Sequence, residues 1–323
     1  GTFGKPSSLS PLALGARVGA HEIVVELLRR GISPNNRIRT ESDTPFAIAS
    51  LALSDGRTRE RLHVLKAMLA HGADRSVLRD PRVMERAART GSHELLDFLI
   101  AEGAVAGGRG GRRDLLNSAL HTCDASFLTK LIRAGAVVDS ENPPLARFRP
   151  SRAWCAHSTS RVDLLRLLLD AGASPNVVLR SPGGETPVFF AVDDLSLLKL
   201  LVDAGADLSH RNRDGYVPLH FAARGRHDDA VSLLLARGAR PDAVSNAFDS
   251  PLHLAAASGQ RRAPDSPSAQ GIEELARTVR ALLAAGADPA ASNSSGLRPV
   301  DLLPEGAEFD GIRDLLRAPI GPR

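Results

Sequence analysis

A glycine that returns roughly every 33 residues constrains this chain more than any other feature. Gly31, Gly72, Gly103, Gly135, Gly172, Gly205, Gly238 and Gly286 each close an apolar run, and they are spaced by 41, 31, 32, 37, 33, 33 and 48 residues. Such a period marks a repeat architecture rather than one continuous core. Every unit reads in the same order: a turn, a short Ala-rich segment, a polar break, an apolar stretch such as IVVELL, LLDFLI, LLRLLL, LLKLLV or AVSLLL, then the glycine. In EIVVELLRRG the apolar residues fall at i, i+1, i+4 and i+5, one stripe at helical periodicity. Glycine after the last turn suits a left-handed C-cap. A single helix pair cannot bury both apolar faces, so neighbours must stack. The expectation is an all-α repeat solenoid whose stability belongs to the array.

The segments that open each unit sharpen this expectation. DGYVPLHFAA (214–223), DSPLHLAAASG (249–259), GETPVFFAV (184–192), DTPFAIAS (43–50) and SPLALGARVG (10–19) resemble the Thr-Pro-Leu-His-x-Ala motif of ankyrin repeats. AGAD (204–207 and 285–288), HGAD (71–74) and AGASPN (171–176) are similar to that family's inter-repeat turn. The resemblance runs from about Leu9 to Arg317 and implies a helix-turn-helix stack with short β-hairpin fingers. Repeats 3, 4 and 5 depart from it at the Thr-Pro position, reading RVME (82–85), DLLN (114–117) and SRAW (151–154). Independently of the family, Thr is a good N-cap and Pro is tolerated in the first helical turn, where its missing N–H costs nothing.

At 323 residues the length alone would suggest two domains. A repeat array grows in one dimension, so residues 1–323 read as one array: about eight helix pairs over 9–290 and a C-terminal capping unit over 291–317. Long inter-helix loops are expected at 54–60 and 258–271, where Gly, Ser, Arg and Pro accumulate, and a smaller insertion around ENPPLARFRP (141–150). No apolar run is long enough to cross a membrane and no signal-peptide pattern is present, so membrane insertion is not expected. Cys123 and Cys155 are too few for a disulfide framework, which favours a reducing, intracellular setting, cytoplasmic or nuclear.

Catalytic and metal chemistry find little support. Neither GxxxxGK[ST], GxSxG nor HExxH occurs. His121, Cys123, Cys155 and His157 are of zinc-ligating types, but the inferred register sets Cys123 at a turn and Cys155 inside the next first helix, so convergence is not expected. No cofactor or metal is called for. The resemblance implies that His220 and His253, both in the Pro-Leu-His slot, make structural hydrogen bonds to neighbouring backbone.

Charge placement is more informative. Of the 41 basic residues only Lys5, Lys66, Lys130 and Lys199 are lysine, and many arginines fall between a glycine and the next first helix. These finger arginines are Arg37 and Arg39; Arg75, Arg79 and Arg82; Arg109, Arg112 and Arg113; Arg147, Arg149 and Arg152; Arg180; and Arg211 and Arg213. Acids such as Glu22, Glu26, Glu94, Asp97 and Asp163 gather instead toward the second helices. The Arg guanidinium matches carboxylate and phosphate, so the expectation is a non-catalytic interaction scaffold for an acidic or phosphorylated protein segment. Its candidate contacts are the finger residues Arg37, Arg39, Arg79, Arg109, Arg112, Arg113, Arg147, Arg149, Arg152, Arg180, Arg211, Arg213 and Tyr216, with Arg89, Trp154 and Arg224 on first helices. Nucleic acid fits less well, because aromatic stacking platforms are scarce. A monomer is expected. The alternative is an atypical enzyme or small-molecule binder in the irregular repeats 3–5, where Trp154 takes the His slot and His121, His157, Glu85 and Arg89 lie near in register.

Overall fold

The computed structural model describes residues 9–36, 44–52, 58–104, 115–120, 122–136, 138, 145, 161–259 and 269–317. They fall into two compact units, one of Gly1–Pro144 with His157–Leu167 and one of Leu145–Ala156 with Leu168–Arg323.

The first unit pairs α1 (Pro11–Val18) with α2 (His21–Arg29), α3 (Pro45–Leu51) with α4 (Thr58–Ala70), α5 (Pro81–Thr90) with α6 (His93–Ala101), and α7 (Leu115–Leu120) with α8 (Ala125–Arg133). First helices stack on first helices, α1 on α3, α3 on α5 and α5 on α7, while α2 packs on α4 and α4 on α6. Next comes α9 (Arg161–Asp170), whose residues 161–167 count with the first unit and 168–170 with the second. The second unit pairs α10 (Pro187–Phe190) with α11 (Leu195–Asp203), α12 (Pro218–Gly225) with α13 (Asp228–Ala236), and α14 (Pro251–Ser258) with α15 (Ala269–Ala284). It ends in two 3-10 turns, Pro299–Leu302 and Ala307–Phe309, and α16 (Asp310–Arg317). The same ladder recurs, α10 on α12 on α14 on the first 3-10 turn, and α11 on α13 on α15 on α16.

The core follows directly from the sequence stripe. Second helices bury residues at i, i+1 and i+4: Leu95, Leu96 and Leu99 in α6, Phe127, Leu128 and Leu131 in α8, Leu164, Leu165 and Leu168 in α9, and Leu197, Leu198 and Leu201 in α11 are all fully buried. Each triplet faces the stack because 3.6 residues per turn bring those three positions onto one side. The exception is α2, where Val24 and Leu28 are buried but Ile23 is 58% exposed.

Every one of the eight periodic glycines has φ between +80 and +94. That conformation is close to free for glycine and costly for other residues. It lets the N–H two residues past the last turn reach back, as in Ala206 N–H to Leu201 O at 2.9 Å and Ala239 N–H to Leu234 O at 3.0 Å. The residue after the glycine is buried at Ala73, Ala104, Ala173 and Ala206, though Ile32 after Gly31 is 37% exposed; the burial completes a Schellman stop.

The N-caps are partly as expected. Thr44 Oγ1 accepts from Ala47 N–H at 3.2 Å and Ser250 Oγ from His253 N–H at 3.4 Å. Thr186 makes no such bond ahead of the single-turn α10. In repeat 3, Asp80 and Pro81 take over the Thr-Pro role just before RVME: Asp80 Oδ1 accepts from Arg82 N–H at 2.9 Å, and α5 starts at Pro81.

Three expectations need correction. The described fingers are not β-hairpins: among the described residues there is no strand, because the turns are closed by side chains and joined to each other by single backbone bonds rather than by a ladder. The expected loop bounds overlap helix, since Thr58, Arg59 and Glu60 already belong to α4 and residues 269–271 to α15; Arg and Glu are good helix formers. Finally, Cys123 is disulfide-bonded, so the cysteine count no longer argues for a reducing compartment. Cys155, His121 and His157 lie outside the described residues, among which no group of three or more His, Cys, Asp or Glu could hold a metal. No described helix is long and apolar enough to cross a membrane.

Candidate functional site

The second unit sets its fingers side by side. In residues 212–216, 245–249 and 293–297 the first N–H donates to the fifth carbonyl: Asn212 to Tyr216, Ser245 to Asp249 and Asn293 to Leu297, each at 2.9 Å. The first side chain holds the turn from inside. Asn212 Oδ1 accepts from the N–H groups of Asp214 and Tyr216 at 3.1 and 2.9 Å, Ser245 Oγ from Ala247 and Asp249 at 3.1 Å, and Asn293 Oδ1 from Ser295 and Leu297 at 3.0 and 3.1 Å. Short polar side chains at a turn's first position do this readily. The fourth residue must then be left-handed: Gly215 has φ +78, Gly296 has φ +73, and between them stands Phe248 at φ +60.

Neighbouring fingers are tied along their backbones. Arg213 N–H donates to Gly183 O at 2.8 Å, Asn246 N–H to Asp214 O at 2.9 Å and Ser294 N–H to Ala247 O at 2.9 Å. The buried histidines tie them from beneath. His220 Nδ1 accepts from Val217 N–H at 3.1 Å and its Nε2 donates to Asp249 O at 2.9 Å; His253 repeats this with Ser250 N–H at 3.2 Å and Leu297 O at 3.0 Å. Both histidines are fully buried, and this is the backbone bonding the family resemblance implied. Burial holds His220 well below the usual imidazole value, at about 4. Glu185, buried at the base of the preceding finger, is pushed up by burial but held below the usual carboxylate range by Ser181, Asn212 and the Arg213 charge.

The sequence-selected residues divide into three groups. Arg37, Arg39, Arg109, Arg112, Arg113, Arg147, Arg149, Arg152 and Trp154 lie outside the described residues. Arg79 closes the 3-10 turn Arg75–Arg79 and is exposed, and Arg89 pairs with Glu85 on α5 at 2.7 Å. In the second unit Arg180, Arg211, Arg213 and Arg224 are exposed and Tyr216 is half-buried. Arg211 is occupied in bracing the next finger, donating from Nη1 to Val244 O at 2.7 Å. Arg224 lies 5.9 Å from the Phe221 ring centroid, and that ring meets Phe189 edge-on at 5.2 Å and Tyr216 at 6.4 Å. Burial and the carboxylates of Asp249 and Asp214 raise the Tyr216 phenol above its ordinary value. Repeat 7 therefore gathers Arg211, Arg213, Tyr216 and Arg224 around one finger and one first helix. Asp207, Asp214, Asp242 and Asp249 share these fingers, so the surface is less uniformly basic than arginine placement alone suggested.

Sequence reasoning passed over Phe248, which is 59% exposed at the tip of its finger. The signal was available in the alignment of NRDGY, SNAFD and NSSGL, where Phe stands in a glycine column.

A family model described as ankyrin repeats in three copies matches residues 151–245 and 193–263. Among curated proteins, the E3 ubiquitin-protein ligase KEG of Arabidopsis thaliana is 26% identical over 266 residues, 76% of this chain and 16% of the plant protein. The human SH3 and multiple ankyrin repeat domains protein 2 is 37% identical over 102 residues, 30% of this chain and 5% of that protein. The Notch-regulated ankyrin repeat-containing protein B of Danio rerio is 47% identical over 64 residues, 19% of this chain and 58% of that protein. The chain spans less than two thirds of the length of each.

Proposed function

From the premise that this chain belongs to the ankyrin-repeat family, we propose that it is a non-catalytic interaction scaffold whose fingers and first helices hold an acidic or phosphorylated protein segment. Ankyrin repeats generally mediate protein–protein contact, and fold-level analogy takes the reading no further than that. The observation that carries the finer reading is the finger row of the second unit. Its backbones are pre-ordered by hydrogen bonds, and it presents exposed Arg213 and Arg224 beside a half-buried Tyr216. A partner ordering itself on a surface already fixed loses less entropy than one binding mobile loops. The other finger arginines, Arg37, Arg39, Arg109, Arg112, Arg113, Arg147, Arg149 and Arg152, are further candidate contacts in this reading.

The test uses a fluorescent peptide rich in Asp and Glu, with and without phosphoserine. Binding is expected to weaken with salt, and the double reversal Arg213→Glu with Arg224→Glu is expected to weaken it further. Arg166→Glu, on the second helix α9, serves as the control. Each exposed contact contributes only about 0.2–1 kcal/mol, so the reversal works mainly by turning attraction into repulsion. Equal losses from the front and back reversals would mean that net charge alone acts, and no binding at all would overturn the reading.

A further inference from the structure

We infer that Phe248 is an apolar anchor for the bound segment, and that the finger keeps it there at the expense of backbone strain. This rests on the binding role proposed above and adds the partner's chemistry: an extended protein segment with a bulky apolar side chain set beside its acidic ones.

Three observations converge on this residue. At the equivalent position of the neighbouring fingers stand Gly215 and Gly296, with φ +78 and +73, while Phe248 adopts φ +60. For a bulky side chain that region is an outlier and unfavourable. Strained backbone of this kind persists where the surroundings over-determine it, and it gathers at functional sites. Here the surroundings are visible: Phe248 N–H closes the turn onto Ser245 O at 3.1 Å, and the adjoining Ala247 O and Asn246 N–H are bonded to the fingers on either side.

Most of the side chain is left in solvent, so internal packing offsets little of this strain. Phe248 is 59% exposed, the largest exposure among the described bulky apolar residues. A folding role would have been served better by glycine, as in both neighbours. The surface around it also suits a partner: Leu297 on the next finger is 39% exposed, Tyr216 on the preceding one is half-buried, and Arg213 and Arg224 are exposed alongside. The apolar tips sit on hydrogen-bonded neighbouring fingers, and the exposed Arg213 and Arg224 belong to repeat 7. A segment crossing the row therefore meets apolar surface and then cationic surface, which selects an apolar residue next to acidic ones.

The experiment compares two acidic peptides that differ only in a central Leu or Ser, by fluorescence anisotropy, against the full chain and three variants. Wild type is expected to favour the Leu peptide by about tenfold, the worth of burying one such side chain. Phe248→Ala and Phe248→Asn should each bring the two peptides within about twofold. Phe248→Leu should retain much of the preference, whereas Arg213→Glu should weaken both peptides alike. Melting provides a readout independent of any ligand. Asn tolerates the left-handed region and Ala does not, so Phe248→Asn should melt above Phe248→Ala by about 2–4 °C. Survival of the Leu preference in Phe248→Asn, or equal melting of the Asn and Ala variants, would overturn the assignment of Phe248 while leaving the scaffold reading intact. Failure of both peptides to bind wild type would overturn both. Self-association of the free protein that disappears in Phe248→Asn would identify a second copy of the chain as the occupant and likewise overturn the assignment.

Discussion

His220 Nε2 donates a 2.9 Å hydrogen bond to the carbonyl oxygen of Asp249, a residue of the next finger. The bond needs a neutral ring, because Nδ1 is already accepting from Val217 N–H. Burial lowers the folded pKa to about 4, from the ordinary imidazole value of about 6.5. Between those values the unfolded chain binds a proton that the folded one does not, so stability rises with pH. It is fully present above about 6.5 and is lost as pH falls toward 4. Between pH 7 and pH 5 the loss should be about 2 kcal/mol. Urea denaturation of wild type and His220→Gln at both pH values checks this, and the pH-dependent difference between them should vanish if the imidazole is not responsible.

Two glycines with similar backbone angles should respond differently to alanine. At Gly205, φ +85, an added Cβ meets nothing within 4 Å, so the substitution costs only the left-handed conformation, about 1–2 kcal/mol. At Gly215, φ +78, the same Cβ would come within 2.4 Å of Asn246 Oδ1 and 2.7 Å of its backbone N. Backbone cannot swing aside, so Gly215→Ala should cost at least about 1 kcal/mol more and part the two fingers. Denaturation gives the energies, and amide exchange at Asn246 reports whether its bond to Asp214 opens.

Core truncation should follow the buried triplets rather than hydrophobicity itself. Leu198→Ala removes a fully buried side chain from α11 and should cost about 2–5 kcal/mol. Ile23→Ala removes an equally apolar residue from α2 that is 58% exposed, and should fall within about 0.5 kcal/mol. Thermal melts of the two variants compare them directly.

Asn176 reaches the next repeat twice, donating from Nδ2 to Gly205 O at 3.0 Å and accepting at Oδ1 from Asp207 N–H at 2.7 Å. Asn176→Ala should cost about 1–2 kcal/mol for the pair. Asn176→Asp, which keeps only the acceptor, should recover part of that loss. A null result in denaturation would mean that water replaces both bonds.

The helical stack was legible in the sequence because its determinants are local. A left-handed glycine, a three-residue apolar stripe and a Pro at a helix start each act within one or two turns. Register at repeat 3 was misread because Asp80 and Pro81, rather than RVME, open α5. Loop edges were misread because nothing in the SDGRTRE stretch itself announces that helix is under way by Thr58. Burial of Ile23 could not be judged from α2 alone, since periodicity names a face without saying what covers it. The finger arginines posed a different difficulty. Arg211 and Arg213 look alike in sequence, yet Arg211 spends its guanidinium on Val244 O, across a gap that only the stacking of two repeats creates. Phe248 was missed because a single hydrophobe in a polar loop carries no periodic signal; only alignment with its own neighbours exposes it.

The clasp made by Asn176 has a twin in the first unit, where Asn35 donates to Gly72 O and accepts from Asp74 N–H, both at 2.8 Å. Each such repeat thus carries a donor and an acceptor for its successor, and the Gly-Ala-Asp turn that receives them lies one repeat on. A chain built this way can lengthen by copying itself. A duplicated stretch bounded by two such turns arrives with one half of each new junction and finds the other half already in place, so both ends close without further substitution. An insertion that shifted a helix out of register would leave a glycine carbonyl facing no partner, whereas one looped out between the helices does not: Asn35 still reaches Gly72 across 37 residues, where Asn176 reaches Gly205 across 29. Growth by whole repeats, with irregular lengths relegated to loops, is what that geometry would let selection keep.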